Sequence, residues 1–195
     1  MLVSTPLFLR VSQGLTLDTS PVTLSGKIYL IPASPDLLPA FPAGTTVKRT
    51  ATGGQAPYSY RSSNSLVAQV DAEGLASVRG NGNVTISVVD ALGNTASYPI
   101  TVTGVIHCVG LGNGKFSHTS AAAASQGLRV PSADELNQIY NTYGNRWPMG
   151  NAIYWSSTAL AQNLIGTKWY STKNLVSGAN FKLIEHNVAL GVGIR

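Results

Sequence analysis

From Leu15 to Thr103 the chain never holds one pattern for long, and that punctuation is what most limits its fold. Short β-prone runs alternate with turn signals. The runs are LTLD, KIYLI, TTVKRTA, YSYRSS, VAQV, LASV, VTISVVD and SYPITVT; between them lie SPDLLPAFPAG, TGGQAP, DAEG, GNGN and DALGN. Gly, Asn and Asp supply the positive-φ positions that tight hairpins need. Asp71–Gly74 and Asp90–Asn94 are therefore expected to connect hairpins. In VTISVVD, Val84, Ile86 and Val88 share one face while Thr85 and Ser87 share the other, the period of a strand with one side buried. Strands at roughly ten-residue spacing predict an all-β sandwich.

The texture changes at Ser117. SHTSAAAASQG carries four consecutive alanines and then Gly127. Alanine is the best helix former and glycine a natural stop, so a helix is expected, capped by Ser117 or Thr119. After the short extended piece LRVP, Ser132 and Glu135 have the spacing of a capping box. Leu136, Ile139, Tyr140 and Tyr143 fall on one face of the helix that follows, and Gly144 ends it. IYWSST (153–158) then reads as a strand on which Tyr154 and Trp155 point to opposite faces. One large ring is expected to anchor the core beneath the two helices. The small hydroxyls of Ser156, Ser157 and Thr158 let backbone approach closely and can serve nearby carbonyls. The organisation expected is a leader at 1–12, an all-β sandwich at 13–104, and an α+β domain at 105–195. ITVTGVIHCVG crosses between the two without a Pro/Gly/Ser-rich linker, so they are expected to abut with limited flexibility.

Charge and cysteine exclude several classes of function. The net charge of +5 is spread thinly and no Lys/Arg run occurs, whereas nucleic-acid binding needs a clustered basic face. The single cysteine, Cys108, rules out an intramolecular disulfide or a Cys-based zinc cluster and reads as a small buried hydrophobe. His107 and Cys108 are adjacent, so on a strand they point apart and cannot pair as base and nucleophile. His107, His118 and His186 lack zinc-ligand spacing. GLGNGK (110–115) fails as a phosphate loop, because Val109 stands where its first glycine should be and Phe116 where the hydroxyl should be; a glycine-rich hairpin is expected instead. Asp134 and Glu135 suit a helix start, and Asp18, Asp71 and Asp90 lack calcium-loop spacing. Tyr58 and Tyr60 read as ordinary strand residues. No stretch of about 18 apolar residues marks a membrane span. MLVSTPLFLRVS lacks the basic start and apolar core of a signal peptide; if the protein is exported, this chain is expected to be part of a longer one.

GGQAPYSYRSSNSLVAQVDAEGLASVRGNGNVTISVVDALGNTASYPITVTG resembles a bacterial immunoglobulin-like domain, a class that usually serves as stalk units. Gly127–Ser132, the helix start Asp134–Leu136, the strand Tyr154–Thr158, Trp169–Tyr170 and the closing GVGIR resemble the C-type lectin-like fold. Leu128 stands where that class usually has Trp, and Val130 where it has Leu. Pro131, Leu136, Tyr154, Trp155, Ser156, Ser157 and Trp169 carry the resemblance as structural residues. RVPSADEL is also similar to a segment of the formylglycine-generating enzymes, but those depend on a cysteine pair. The calcium-binding triplets of animal lectins, Glu-Pro-Asn or Gln-Pro-Asp with Trp-Asn-Asp, are missing.

An immunoglobulin-like domain followed by a lectin-like domain resembles the tip of the intimin and invasin adhesins of bacterial outer membranes, whose tips usually carry a disulfide that Cys108 alone cannot form. The resemblance implies a non-catalytic, calcium-independent module without cofactor or metal. It would be monomeric and displayed on the bacterial surface as the distal part of a longer outer-membrane protein. Its expected partner is a host or neighbouring-cell surface protein, with a glycan as the other candidate. A phage tail receptor-binding protein is the alternative on the same scaffold, and a formylglycine-generating-type enzyme the third. Expected contact residues lie in the loops around the aromatic strand: Arg146, Trp147, Asn163, Lys168, Lys173 and Asn174. Arginine and tryptophan make good interface anchors, and binding residues concentrate on loops.

Overall fold

The computed structural model describes residues 13–195; the leader expected at 1–12 lies outside the described residues. The chain divides into two compact units. The first combines the chain up to Gly26 with Ala43–Gly104; the second combines Lys27–Pro42 with Val105–Arg195. In chain order, β1 (Val22–Leu24) belongs to the first and β2 (Ile28–Leu30) to the second. The first then holds β3 (Thr46–Lys48), β4 (Ser59–Ser62), β5 (Ala68–Val70), β6 (Leu75–Val78), β7 (Gly82–Val89) and β8 (Thr95–Val102).

The first unit is made of two sheets, ordered β1-β8-β7-β4 and β3-β6-β5. Val84, Ile86 and Val88 are buried, as their alternation requires, and so are Tyr98, Ile100 and Val102 on the partner strand β8. Asp71–Gly74 joins β5 to β6 and Asp90–Asn94 joins β7 to β8, both pairs antiparallel. Asp90 is itself buried and accepts four hydrogen bonds, from the backbone N–H of Gln55, Leu92 and Asn94 and from Asn94 Nδ2. Gly54, at φ +60°, packs so close that a Cβ there would meet the Asp90 carboxylate, which is why the Gly-Gly turn is needed. LTLD is not a strand; it contributes a single bridge, Thr16 to Thr52. The strand that forms instead is β1, parallel to β8. Its three residues pair across nearly the whole unit, a non-local choice that local propensity does not reveal.

The second unit carries β9 (Val105–Gly114), α1 (Phe116–Ser125), α2 (Ala133–Tyr143), a 3-10 turn at Gly144–Arg146, β10 (Ile153–Gln162), β11 (Lys168–Asn174), β12 (Asn180–Ile184) and β13 (Ala189–Ile194). Six strands form one sheet in the order β12-β11-β10-β13-β9-β2. The placement of β2 corrects the contiguous division expected at 13–104 and 105–195. KIYLI does not alternate: Ile28, Tyr29, Leu30 and Ile31 are all buried, the signature of a strand covered on both faces. Tyr29 Oη donates to Gln138 Oε1 (2.9 Å), and Tyr143 Oη donates to the Tyr29 carbonyl (2.9 Å). These bonds tie β2 to α2.

The sheet has a core on each face. On one, Leu136, Ile139 and Tyr143 of α2 pack with Tyr29, Cys108, Tyr154, Val192 and Ile194. On the other, Ala123 of α1 packs with Leu111, Leu128, Trp155, Tyr170 and Ala189. Tyr154 and Trp155 do point apart, and each ring anchors its own core. GLGNGK is not a hairpin. Gly110 to Gly114 continue β9, which pairs with β13 through a register shift at Gly191–Val192, and Gly112 takes φ +77°.

Ser132 makes the expected capping box with Glu135, and Gly144 closes α2. Neither Ser117 nor Thr119 caps α1; it starts at Phe116, with Lys115 at the cap position, two residues before Ser117, and no side-chain cap bond. The aromatic core sets that start. The Phe116 ring stacks on Tyr170 (centroids 3.8 Å apart) and meets Trp155 edge-on (5.7 Å), a gain that outweighs one capping bond of about 1 kcal/mol.

Candidate ligand-binding surface

IYWSST builds the scaffold rather than the surface. Tyr154 Oη donates to the carbonyls of Met149 (2.6 Å) and Gly150 (3.1 Å). Trp155 Nε1 donates to the Gly114 carbonyl (2.8 Å) and Ser156 Oγ to that of Ser171 (2.6 Å). Thr158 Oγ1 accepts from Ala133 N–H (2.9 Å), and Ser157 N–H donates to the Pro131 carbonyl (2.8 Å). These bonds lock β10 against the α2 start and against β11. Pro131 and Leu136 are buried beside it, whereas Trp169 is partly exposed, with Lys182 Nζ 5.5 Å from its ring centre.

The six loop residues expected to make contacts do not form one patch. Trp147 is only 4% exposed, edge-on to both Tyr143 and Tyr154. The 3-10 turn folds it inward, so it is a core ring and not a surface anchor. Lys173 is also buried; its Nζ donates to the Gly178 carbonyl (2.8 Å) and Asn180 Oδ1 (3.0 Å) and lies over Tyr140. That burial lowers its pKa, and it acts as an internal strut. Asn174 Nδ2 donates to Asn151 Oδ1, while its Oδ1 accepts from the backbone N–H of Val176 and Ser177. Arg146 is exposed and donates to the carbonyls of Leu38 and Thr142. Asn163 Oδ1 accepts from Ile165 and Thr167 N–H. Lys168 is exposed on β11. Asn174 pairs with the start of β10 and Lys168 with its end, about 20 Å apart along β11 at the usual rise of a strand.

Two apolar surfaces were not signalled by the sequence. One is a groove of about 600 Å³ lined by Asn113, Asn151, Ile153, Phe181, Val188 and Leu190 among others. Phe181 (44%) and Val188 (57%) stand exposed at it. Phe181 lies on β12, the edge strand of the sheet. The other is the tip of the β10–β11 hairpin, with Leu160, Leu164 and Ile165 exposed. The uncharged run TALAQNLIGT was its only trace in the sequence. Cys108, in contrast, is fully buried, and burial pushes its thiol up to about 12. Among the described residues no group of three or more His, Cys, Asp or Glu side chains could hold a metal ion.

An immunoglobulin-like unit and a C-type lectin-like unit in one chain are the two modules that this fold defines. Residues 42–92 match the family described as the intimin immunoglobulin-like domain. The chain is 32% identical over 139 residues to intimin of Citrobacter freundii, covering 69% of this chain and 14% of that protein. It is 31% identical over 97 residues to intimin of Escherichia coli O111:H-, covering 50% and 10% respectively. The crystal structure of an intimin–Tir90 complex matches its fold with a TM-score of 0.50 at 24% identity, over 76% of this chain and 82% of that one. In sequence and fold the chain stands with the intimin/invasin-type bacterial adhesins. It spans only a small part of the length of these curated relatives.

Proposed function

We propose that this chain is the distal part of a bacterial surface adhesin, in which the immunoglobulin-like unit carries a lectin-like unit that binds a protein receptor on another cell. The observation that carries this reading is the 139-residue similarity to intimin, which extends beyond the immunoglobulin-like match at 42–92. The intimin of similar fold was solved in complex with Tir90, which supports a protein partner. The chain's small share of its relatives' length supports a place within a longer outer-membrane protein. Binding proceeds without catalysis and without calcium. The buried, high-pKa Cys108 thiol suits neither a nucleophile nor one member of a redox pair. The groove with exposed Phe181 and Val188 offers an aromatic anchor of the kind that dominates protein interfaces.

The test is a screen of the whole chain against host-cell surface proteins and a glycan array, each with and without EDTA. A protein ligand bound equally in both conditions, and bound at least about tenfold more weakly after Phe181→Ala, is the expected result. Glycan binding abolished by EDTA would replace this reading with a calcium-dependent lectin. The whole chain is needed because residues 27–42 complete the second unit.

A further inference from the structure

The β10–β11 hairpin ends in Leu164 and Ile165, which are 107% and 88% exposed. Their exposure is built in. Asn163 Oδ1 accepts from the backbone N–H of both Ile165 and Thr167, Asn163 N–H donates to the Thr167 carbonyl, and Gly166 N–H donates to the Asn163 carbonyl. Gly166 takes φ +87° to close the turn. The turn is thus braced by its own backbone, with both aliphatic side chains held out of the protein. From Thr158 to Thr167 no residue is charged. Immediately behind the tip the chemistry changes. Lys168 is exposed, Trp169 is partly exposed, and Lys182 from β12 lies over the Trp169 ring. Apolar tip, then tryptophan, then lysines is the order of environments met on entering a bilayer: acyl boundary, headgroup level, anionic surface. From Ile165 to Trp169 is four residues, at most about 13 Å of extended chain, which matches an insertion of about 5–10 Å.

We propose that this hairpin inserts into the surface of a lipid membrane, with Leu164 and Ile165 in the acyl boundary, Trp169 among the headgroups, and Lys168 and Lys182 against anionic lipid. This contact is separate from receptor recognition and needs no protein partner. An adhesin would use it to press its tip onto the membrane that displays the receptor.

Trp147 and Trp155 are buried and Trp169 is not, so tryptophan fluorescence reports on the hairpin. The whole chain is mixed with phosphatidylcholine vesicles, with and without phosphatidylserine, and followed by co-sedimentation and by quenching with bromine-labelled acyl chains. The expected result is partition favoured by phosphatidylserine and weakened by salt, with quenching lost in Trp169→Phe. Leu164→Ser combined with Ile165→Ser should weaken partition about tenfold or more while leaving the unfolding transition in place. Lys168→Glu with Lys182→Glu should abolish the preference for phosphatidylserine. Absence of partition, partition unchanged by the Leu164/Ile165 pair, or no quenching of Trp169 would each overturn the proposal. So would a hairpin that binds a protein partner and leaves vesicles alone.

Discussion

Glu135 closes the capping box of α2 and also receives the Arg129 guanidinium on both oxygens, at 2.6 Å each. Those bonds, Arg129 first, hold its carboxyl at about 2, below an ordinary value of 4.5. A folded-state pKa below the unfolded one means stability that is present above pH 4.5 and lost as the pH falls toward 2. Arg129 is 59% exposed, so solvent screening trims the gain. Glu135→Gln is expected to cost about 1–2 kcal/mol at neutral pH and to flatten the acid limb. Denaturant unfolding at pH 7 and at pH 3 checks both; an equal cost at the two pH values would contradict the assignment. Asp90 is also held low, by the Asn94 side chain first and then by the backbone N–H groups of Gln55, Asn94 and Leu92, and keeps its own acid loss in both proteins, so the difference isolates Glu135. The serine-to-glutamate spacing was legible in the sequence. The Arg129 partnership was not, nor was the inward turn of Trp147 and Lys173, because a charge or ring in a loop looks alike whether it faces water or core.

At the level of the element, β13 shows how one strand can serve two cores. Val192 and Ile194 fill the face of α2, while Gly191 and Gly193 lie beneath α1 and the Leu128 segment. A Cβ at 191 would sit 2.6 Å from Thr119 Cγ2 and 3.0 Å from Leu111 Cβ. Gly191→Ala is therefore expected to destabilise by about 1–3 kcal/mol through overpacking, measured as a lower denaturation midpoint. Adding Thr119→Ser, which removes the clashing methyl, should return part of that loss; no recovery would mean that the clash is not the cause. GVGI could be read as a strand of alternating size. That its small residues make room for a helix required knowing where α1 docks. The start of α1 at Phe116 has the same origin, since the Tyr170 ring lies over fifty positions away in sequence.

For the whole molecule, the decisive feature is that the second unit takes Lys27–Pro42 from the middle of the first. Tyr29 and Ile31 are each 3% exposed within the α2 core. A fragment of residues 105–195 would lose both and strand the Tyr143 hydroxyl. It is expected to lose about 3–5 kcal/mol or more, with a broadened transition and exposed apolar surface that binds dye. Joining 27–42 to it through a flexible linker should restore a cooperative transition; a fully stable 105–195 fragment would refute the division.

The sequence by itself determined the elements whose signals are local: the alternating strand β7, the hairpin turns at Asp71 and Asp90, the capped helix α2, and the opposed rings of Tyr154 and Trp155. It determined the two modules as well, since their motifs sit in order along the chain. Only the tertiary structure decided that β2 joins the lectin-like sheet, that Trp147 and Lys173 turn inward, and that Leu164 and Ile165 stand in solvent. Periodicity records which residues share a face. It does not record what covers that face, because burial is set by partners distant in sequence.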